Sequence, residues 1–272
     1  MADTKAGLLP RQELLAGSRD PAALGAAIDA AETALRTWEP CWTGFVDGAV
    51  AEEAAERLGD LSELSLAREG GYPGAERCCL LLQRREAALD PASLEAPLTG
   101  LEISGNFLFD PAEPDDVRAA LLAAGLTADA IGDIWMRGDR GAQAVVSSAP
   151  APTLLPDPGA DALLVRTVPV SLQLRPLAAL QLPAQRQPRQ CHSVEASCRL
   201  DAVASAGFGV SRSRMAEWIR AGRVRLNWEP ITSPSRELAV GDRVRISGRG
   251  ELRVESITPT KRERWRVGMV RL

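Results

Sequence analysis

The chain has 272 residues, of which 45% are hydrophobic and 25% are charged. This composition is typical of a soluble globular protein with two or three domains. No apolar stretch approaches the length of a transmembrane helix and no secretory signal is apparent, which argues against membrane and secreted proteins. Five cysteines, an odd number, do not indicate a disulfide framework, so we expect a reducing, cytoplasmic location.

The net charge of −4 is distributed unevenly along the chain. Residues 186–272 contain 18 Lys and Arg against 9 Asp and Glu, a balance of +9. Residues 1–185 contain 14 against 27, a balance of −13. A basic carboxy-terminal third is typical of a nucleic-acid-binding domain, so the two parts should face different partners or each other.

The first predicted domain, residues 1–94, is a helical or α+β unit. Residues 22–38 and 49–58 carry apolar side chains at helical spacing, so each should form an amphipathic helix. The segment 39–47 between them, with Trp42 and Phe45, is interpreted together with Trp38 as a core joint between helices. A stacking platform for bases is the alternative.

A glycine-rich turn at residues 70–74 precedes a short strand whose apolar run indicates burial on both faces. The turn lacks the G-K-S/T ending of a phosphate loop, which argues against nucleotide binding. Arg77, Arg84 and Arg85 flank this strand. They are candidates for RNA contacts, but a solvated face is the simpler interpretation.

Residues 95–182 are predicted to form a second α+β domain. A strand at 101–105, a helix at 115–125 and a hairpin over 131–147 follow one another. This order favours a split βαβ sheet like that of the small RNA-recognition (RRM) folds. The aromatic strand motif by which those sheets stack bases is missing, so the fold alone does not predict RNA contact.

Proline and glycine predict a loop at residues 148–162, and residues 163–174 alternate as a strand. Residues 183–198 are interpreted as a linker and an incoming strand. This segment contains His192, the single histidine of the chain, between Cys191 and Cys198. Three ligands without a fourth nearby match no common zinc pattern, so we expect no metal site.

Residues 199–258 are predicted to fold as two short helices followed by a small sheet. Leu200, Val203 and Ala204 lie at helical spacing before the glycines at 207 and 209. Ser211 can cap a second helix, and Met215, Trp218 and Ile219 give that helix an apolar stripe. Gly222 ends that helix, and residues 224–228 and 244–247 then alternate as strands.

Arginines surround these predicted elements. Free N–H groups, a serine hydroxyl and a guanidinium at one helix start form a good phosphate receptor, so Ser211 and Arg212 should hold one phosphate. Arg223 and Arg225 should supply a second row of the same concave surface. The complete set of candidate RNA-binding residues is Arg199, Ser211, Arg212, Arg214, Arg220, Arg223, Arg225, Asn227, Arg236 and Arg249, with Arg243 as a further candidate.

The order of motifs over residues 199–248 resembles a known family. R-L-D, G-F…S-R-S-x-x-x-x-I-x-x-G-x-V-x-x-N, P-S and G-D-x-V-x-I-x-G are similar to the RNA-binding domain named after ribosomal protein S4. Many such domains have glycine after the asparagine, where this chain has Trp228. That side chain either stacks on a base or covers the sheet.

Upstream motifs extend the resemblance. G-Y-P-G-A-E-R, G-N-F-L-F-D-P-A and I-G-D-I-W resemble the photosystem II S4-domain proteins of cyanobacteria and plastids, within a bacterial S4-domain family encoded near division genes. The resemblance implies an RNA-binding protein without catalysis, whose bacterial relatives associate with the large ribosomal subunit and stalled translation complexes. No residue supports the photosystem label.

The resulting fold expectation is α+β: a helical amino-terminal unit, an RRM-like split βαβ middle domain and a carboxy-terminal S4-like (αL) RNA-binding domain, followed by a basic tail at 259–272. The tail either stacks on RNA or pairs as a terminal strand. The expected function is non-catalytic binding of structured RNA, ribosomal RNA or tRNA, on the large ribosomal subunit, with a role in rescue of stalled translation. No cofactor, metal, membrane or small-molecule partner is expected.

The alternative is an RNA-modifying enzyme, similar to a pseudouridine synthase or a methyltransferase, with an unrecognised active site in the first 185 residues. Neither G-x-S-x-G nor G-x-G-x-x-G after a strand occurs. Asp201 in R-L-D could be mistaken for a catalytic aspartate. Its position favours a role in bracing the first helix and orienting Arg199.

Overall fold

The computed structural model describes residues 8–149, 162–184, 187–246 and 248–272. The chain forms two compact units, one ending at Pro183 and the other beginning at Ala184. The core of the loop predicted at residues 148–162, namely 150–161, lies outside the described residues. Among the described helices, none has both the length and the apolar character that crossing a lipid bilayer requires.

The amino-terminal part of the first unit packs helices on a three-stranded antiparallel sheet. The sheet has the strand order β1-β3-β2. Its elements are α1 (Arg11–Leu15), α2 (Pro21–Thr37), β1 (Cys41–Val46), α3 (Gly48–Gly59), β2 (Leu64–Glu69) and β3 (Cys78–Arg84). The apolar stripe of α2 is buried as its spacing predicted, with Leu24, Ile28 and Ala31 fully inaccessible.

The predicted core joint between helices is confirmed only at Phe45, which is buried, whereas the segment forms strand β1 and Trp38 lies outside the core. Trp42 pairs with Leu81 of β3, and Thr43 accepts a hydrogen bond from the Leu80 backbone N–H at 2.9 Å. Trp38 lies outside the core, since 53% of its surface is exposed and the Arg84 guanidinium lies 4.0 Å from its ring centroid. Pairing of this segment with the distant strand β3 gives it its extended conformation, which local sequence does not reveal.

The rest of the first unit is a five-stranded antiparallel sheet with the order β5-β6-β4-β8-β7. Its elements are β4 (Leu98–Ser104), α4 (Pro114–Ala123), β5 (Ile131–Met136), β6 (Gly141–Ser147), β7 (Leu163–Val165) and β8 (Val168–Arg175). Helix α4 connects β4 to β5, and β6 lies between these two strands. This is the split βαβ arrangement that the sequence predicts.

Two of the upstream motifs, G-Y-P-G-A-E-R and I-G-D-I-W, meet at the buried side chain of Asp133. Its carboxylate accepts hydrogen bonds from the Tyr72 hydroxyl at 2.7 Å and from the backbone N–H groups of Glu76 and Arg77 at 2.6 and 3.0 Å. The Arg77 side chain donates to the carbonyl oxygens of residues 45, 128 and 131. Arg77 therefore braces the backbone, and its interpretation as part of a solvated face is wrong.

The second unit is a six-stranded antiparallel sheet with two helices on one face. The strand order is β11-β10-β12-β13-β14-β9. Its elements are β9 (Arg189–Glu195), α5 (Leu200–Phe208), α6 (Arg212–Arg220), β10 (Val224–Leu226), β11 (Glu229–Pro230), β12 (Arg243–Ile246), β13 (Gly250–Pro259) and β14 (Trp265–Arg271). Strands β9 and β14 come from the segments predicted as a linker with an incoming strand (183–198) and as a basic tail (259–272). Of the two roles left open for the tail, pairing as a terminal strand is the one that the structure shows.

The core of the second unit lies between the helices and one face of the sheet. Leu200 and Val203 of α5 and Met215 and Ile219 of α6 are fully buried, as their spacing predicts. Alternating residues of the strands, Val224, Val244, Leu252, Val267 and Met269 among them, fill the other side. The residues between these point away from the helices, and we call that side of β10, β12 and β13 the outer sheet face.

Candidate nucleic-acid interface

The start of α5 brings together two of the candidate arginines around one buried carboxylate. Asp201 accepts hydrogen bonds from Nε of Arg212 at 3.0 Å and from Nε of Arg199 at 3.2 Å. Only 6% of Asp201 is exposed, whereas the Arg212 side chain is 56% exposed. Asp201 therefore orients Arg199, as the sequence predicts. The additional link to Arg212 was not foreseen.

The hydrogen bonds at Asp201 shift the pKa values of both Asp201 and Arg212. Burial raises the pKa of the Asp201 carboxyl, but hydrogen bonds from Arg212 and then Arg199 outweigh burial and hold this pKa below its ordinary value. The hydrogen bond to Asp201 raises the pKa of Arg212. The carboxylate is therefore ionised at neutral pH and fixes the two guanidinium groups in place.

A loop, and not a side-chain cap, satisfies the first backbone N–H groups of α5. The Leu200 N–H donates to the carbonyl oxygen of Arg236 at 2.7 Å, and the Asp201 N–H donates to that of Pro234 at 3.1 Å. The loop at residues 234–236 therefore packs against the start of α5 through its backbone. It also places Arg236, which is exposed, next to the cluster of Arg199 and Arg212.

Helix α6 begins as the sequence predicts. Ser211 is the N-cap, and its hydroxyl accepts a hydrogen bond from the Arg214 backbone N–H at 3.3 Å. Arg212 follows it, but its guanidinium is engaged by Asp201. Ser211 and Arg212 thus lie together at the helix start, and their joint role in holding a phosphate stays a prediction.

The ring of Trp218 contacts two further candidate RNA-binding arginines, Arg214 and Arg249. The guanidinium carbons of Arg214 and Arg249 lie 5.2 and 4.7 Å from the centroid of its ring. The indole is 9% exposed, so it anchors both arginines to the core through cation–π contacts while their charges stay at the surface. Arg220 and Arg223 are exposed at and just beyond the end of α6.

The turn between β10 and β11 consists of Asn227 and Trp228. Both have positive φ, +51° and +74°, which is the signature of a two-residue type I′ hairpin turn. The Asn227 side chain donates to Asp242 at 2.8 Å and accepts from the backbone N–H of Arg243 at 2.9 Å. Asn227 therefore stabilises the turn, and its RNA contact stays a prediction.

Trp228 occupies the turn position at which glycine is favoured. Its ring lies 5.0 Å from the guanidinium carbon of Arg243 and 4.6 Å from that of Arg245. Trp228 is half-buried by these contacts on the outer sheet face. Of the two roles left open by the sequence, covering the sheet is thus realised, and the covered residues are themselves cations.

The candidate arginines do not form one continuous surface. Val224 and Leu226 are buried under the helices, so Arg225 between them lies on the outer sheet face. Arg199, Arg212 and the other helix arginines lie on the helical side. The prediction of a single concave surface that includes Arg225 is therefore wrong, because strand alternation separates the two rows.

The sequence analysis missed Arg245 and Arg253 on the outer sheet face. Arg245 lies directly opposite Arg225, and Arg253 lies directly opposite Arg243. The alternation of apolar and polar residues in Val244-Arg245-Ile246 contained the signal for Arg245. The cross-strand pairing that concentrates the four arginines requires the register of β10, β12 and β13, which the sequence does not reveal.

The cysteine and histidine residues near β9 do not converge. Cys191 lies against the core, while its neighbour His192 is exposed on the other side of the strand. Within the described ranges, no group of three or more His, Cys, Asp or Glu residues is placed to hold a metal ion.

Two segments of the chain match models of known protein families. Residues 198–244 match the family model of the S4 domain, and residues 20–87 match the model described as YlmH, N-terminal. The chain carries an S4 domain. The arginine clusters described above belong to this S4 domain or to the strands that extend its sheet, and the protein is a mixed α+β chain with an N-terminal YlmH domain.

Two known proteins are similar over longer stretches. The ribosome-associated protein quality control protein P2 of Bacillus subtilis (strain 168) is 28% identical over 207 residues, which span 76% of this chain and 77% of that protein. The solved structure of the cell division protein ylmH from Streptococcus pneumoniae is 19% identical, covers 57% of this chain and 90% of its own, and gives a TM-score of 0.44. The match to the Bacillus subtilis protein supports the bacterial part of the resemblance, and nothing in it supports the photosystem II part.

Proposed function

We propose that this protein binds structured RNA, ribosomal RNA or tRNA, on the large ribosomal subunit through its S4 domain, without catalysing a reaction. The observation that carries the proposal is the arrangement of arginines around α5 and α6 of a domain that matches the S4 model. The similarity to a ribosome-associated quality control protein supports a place in translation quality control. We place this activity in the cytoplasm.

The electrostatics of the helical side suit an RNA backbone. Arg199 and Arg212 are held by a buried carboxylate, and Arg214 and Arg249 are held by an indole ring. Guanidinium groups fixed in this way lose less conformational entropy when they bind phosphate. Such contacts recognise backbone shape more than base identity, so weak sequence preference follows.

Three buried groups of the first unit, Cys78, Cys79 and Asp133, speak against the alternative of an RNA-modifying enzyme. Burial raises the pKa of the Cys78 thiol to about 11. Burial, and then the neighbouring Cys78, raise the pKa of Cys79 to about 12. Both thiols are therefore protonated at neutral pH and poor nucleophiles. Asp133 is occupied by three hydrogen-bond donors. We propose no small-molecule substrate and no cofactor.

Sedimentation with large ribosomal subunits from B. subtilis tests the proposal. The protein should travel with the subunits, and raised salt should release it. If about six phosphates are contacted, the affinity should fall by roughly a thousandfold between about 50 and 200 mM salt. Binding that is insensitive to salt would refute the electrostatic mechanism.

A pair of variants locates the binding surface. Arg214→Gln with Arg220→Gln removes two exposed charges from α6. Arg36→Gln with Arg140→Gln removes the same number of charges from exposed positions of the first unit. The α6 variant should lower the slope of log affinity against log salt by about 1 to 2, whereas the control should not. Equal behaviour of both variants would exclude the helical side as the RNA-binding surface.

A further inference from the structure

Trp265, the first residue of β14, exposes a ring whose face is open. The residue is 40% exposed. Trp38, Trp218 and Trp228 each have at least one guanidinium group over the ring. Within the described ranges, neither an arginine nor another aromatic ring makes such a contact with Trp265. A large aromatic surface is therefore available to a ligand.

Strand alternation places Trp265 on the helical side of the sheet. Val267 and Met269 occupy the alternate positions of β14 that follow, and both are buried in the core formed with α5 and α6. Trp265 is in phase with them but stays exposed, so it lies beyond the area that the helices cover. Its ring thus shares a side of the sheet with the arginines of α5 and α6.

Trp265 also lies at the end of the sheet where α5 begins. It pairs with Glu195, the last residue of β9, and α5 starts five residues later. The other end of α5 lies at the other end of β14, where Nη1 of Arg271 donates to the carbonyl oxygen of Phe208 at 3.2 Å. The arginine cluster at Asp201 therefore lies at the same end of the sheet as Trp265.

The turn that precedes Trp265 is cationic. Residues 260–264, between β13 and β14, contain Lys261, Arg262 and Arg264 and one acid, Glu263. All four charged side chains are exposed. None of the three cations forms an ion pair with another residue that the structure describes. The turn can therefore attract an anionic ligand to the open ring.

Glu195 is the acidic neighbour of Trp265 on the helical side. The hydrogen bond to Asp201 and, after it, the negative charge of Glu195 raise the pKa of Arg212. Glu195 thus lies near both Trp265 and Arg212 and offsets part of the positive charge at the start of α5. Attraction of a ligand to Trp265 depends on the turn cations and on the aromatic ring itself.

We propose that Trp265 stacks on an unpaired base of the bound RNA, while Lys261, Arg262 and Arg264 hold the phosphates beside that base. This site rests on the proposed function and extends the helical-side interface beyond the residues matched by the S4 model, which end at 244. An aromatic ring flanked by cations suits a nucleotide, which supplies a base and a phosphate together. An aliphatic side chain of a protein would leave the cations without an anion. Stacking of this kind accepts any of the four bases.

The test measures the affinity of the full chain for protein-free ribosomal RNA extracted from B. subtilis large subunits and for the intact subunits. Trp265→Leu removes the aromatic face, so the affinity for both probes should fall roughly tenfold. The slope of log affinity against log salt should not change, because stacking releases no counterions. Trp265→Phe should restore most of the affinity. Trp38→Leu, at an exposed tryptophan of the first unit, is the matched control and should bind as the native protein does.

Arg262→Gln with Arg264→Gln tests the turn. Affinity for both probes should fall severalfold, and here the salt slope should decrease by about 1 to 2. Both changes are at exposed positions, so the backbone amides of β9 and β14 should exchange at native rates. Native affinity and slope of this variant would overturn the role of the turn.

Three results would overturn the stacking site. The first is native affinity of Trp265→Leu for both probes. The second is a loss of affinity that Trp265→Phe does not restore and that accompanies faster exchange in β9 and β14, since this would indicate a structural role. The third is normal binding of Trp265→Leu to free ribosomal RNA with weakened binding to intact subunits, which would indicate contact with a ribosomal protein.

The failure of this inference can be told from the failure of the proposed function. Weakened binding of the Arg214/Arg220 variant with native binding of Trp265→Leu leaves the proposed function standing and removes the stacking site. Native binding of both variants to both probes removes both.

Discussion

The link between Asp201 and Arg212 makes a quantitative prediction, because it joins the first turns of α5 and α6. Asp201→Asn and Arg212→Gln, made singly and together, form a double-mutant cycle that isolates this interaction. The two hydrogen bonds between the side chains measure 3.0 and 3.2 Å. We expect a coupling free energy of about 1 kcal/mol.

The magnitude follows from geometry and exposure. A hydrogen bond to a charged group contributes about 1.5–3 kcal/mol where it is protected from solvent. The Arg212 side chain is 56% exposed, so water and salt reduce this value toward the range of about 0–1 kcal/mol found for surface pairs. The buried, bidentate carboxylate keeps it at the upper end. Arg199 retains its own contact with Asp201 in the Arg212 variant.

Hydrogen exchange of the α5 backbone amides is the appropriate assay, since a chain with two compact units need not unfold in one transition. Arg253 and Glu255 provide a matched control cycle in the same unit, because their ion pair is 3.4 Å long with both side chains exposed. A coupling at Asp201 and Arg212 no larger than that of the control would refute the reasoning.

The same pair has a defined pH dependence. The folded-state pKa of Asp201 lies below its ordinary value of 3.8, so the pair stabilises the fold above that value. The contribution is lost as the pH falls through the lowered pKa. The coupling should therefore be constant from about pH 8 to pH 5 and shrink only in more acidic solution. A coupling that declines near pH 6 would contradict this assignment.

Three further changes test other parts of the fold. Asp133→Ala should destabilise the first unit by about 2–4 kcal/mol, because it removes the buried acceptor of three hydrogen bonds; protected exchange at residues 70–77 would contradict this. Gly207→Ala should cost about 1–3 kcal/mol in chemical unfolding, since its Cβ would lie 2.4 Å from Leu252; an unchanged midpoint would refute the close packing. Cys79 should react with iodoacetamide at pH 8 only after unfolding, which mass spectrometry can follow; rapid labelling of folded protein would exclude its raised pKa.

The sequence predicted the helices of the second unit well because their signals are local. Ser211 caps α6, and Gly209 ends α5 with a φ of +67°, as the residue types indicate. Met215 and Ile219 are buried at the predicted spacing. Each of these features depends on residues within one or two helical turns, so periodicity and capping chemistry were sufficient.

Features that depend on distant partners were not predictable in the same way. Cys41–Val46 forms a strand only because residues 78–82 pair with it. The link from Arg212 to Asp201 spans eleven residues and two helices. The separation of Arg225 from the helix arginines follows from which face of β10 is buried, and the concentration of charge with Arg245 follows from register. Sequence alone gives the charges but not their neighbours.

The two sides of the S4 sheet differ in how their charges are balanced, and this difference bears on function. Arg199 and Arg212 share a buried carboxylate, so their positions are fixed before any ligand binds. Arg225 and Arg245 oppose one another on the outer sheet face, but Glu251 lies directly opposite Arg245 on the next strand and offsets that charge. The helical side is thus the side on which exposed guanidinium groups are fixed in advance. Under the proposed function, this arrangement lowers the entropy that is lost when RNA phosphates bind.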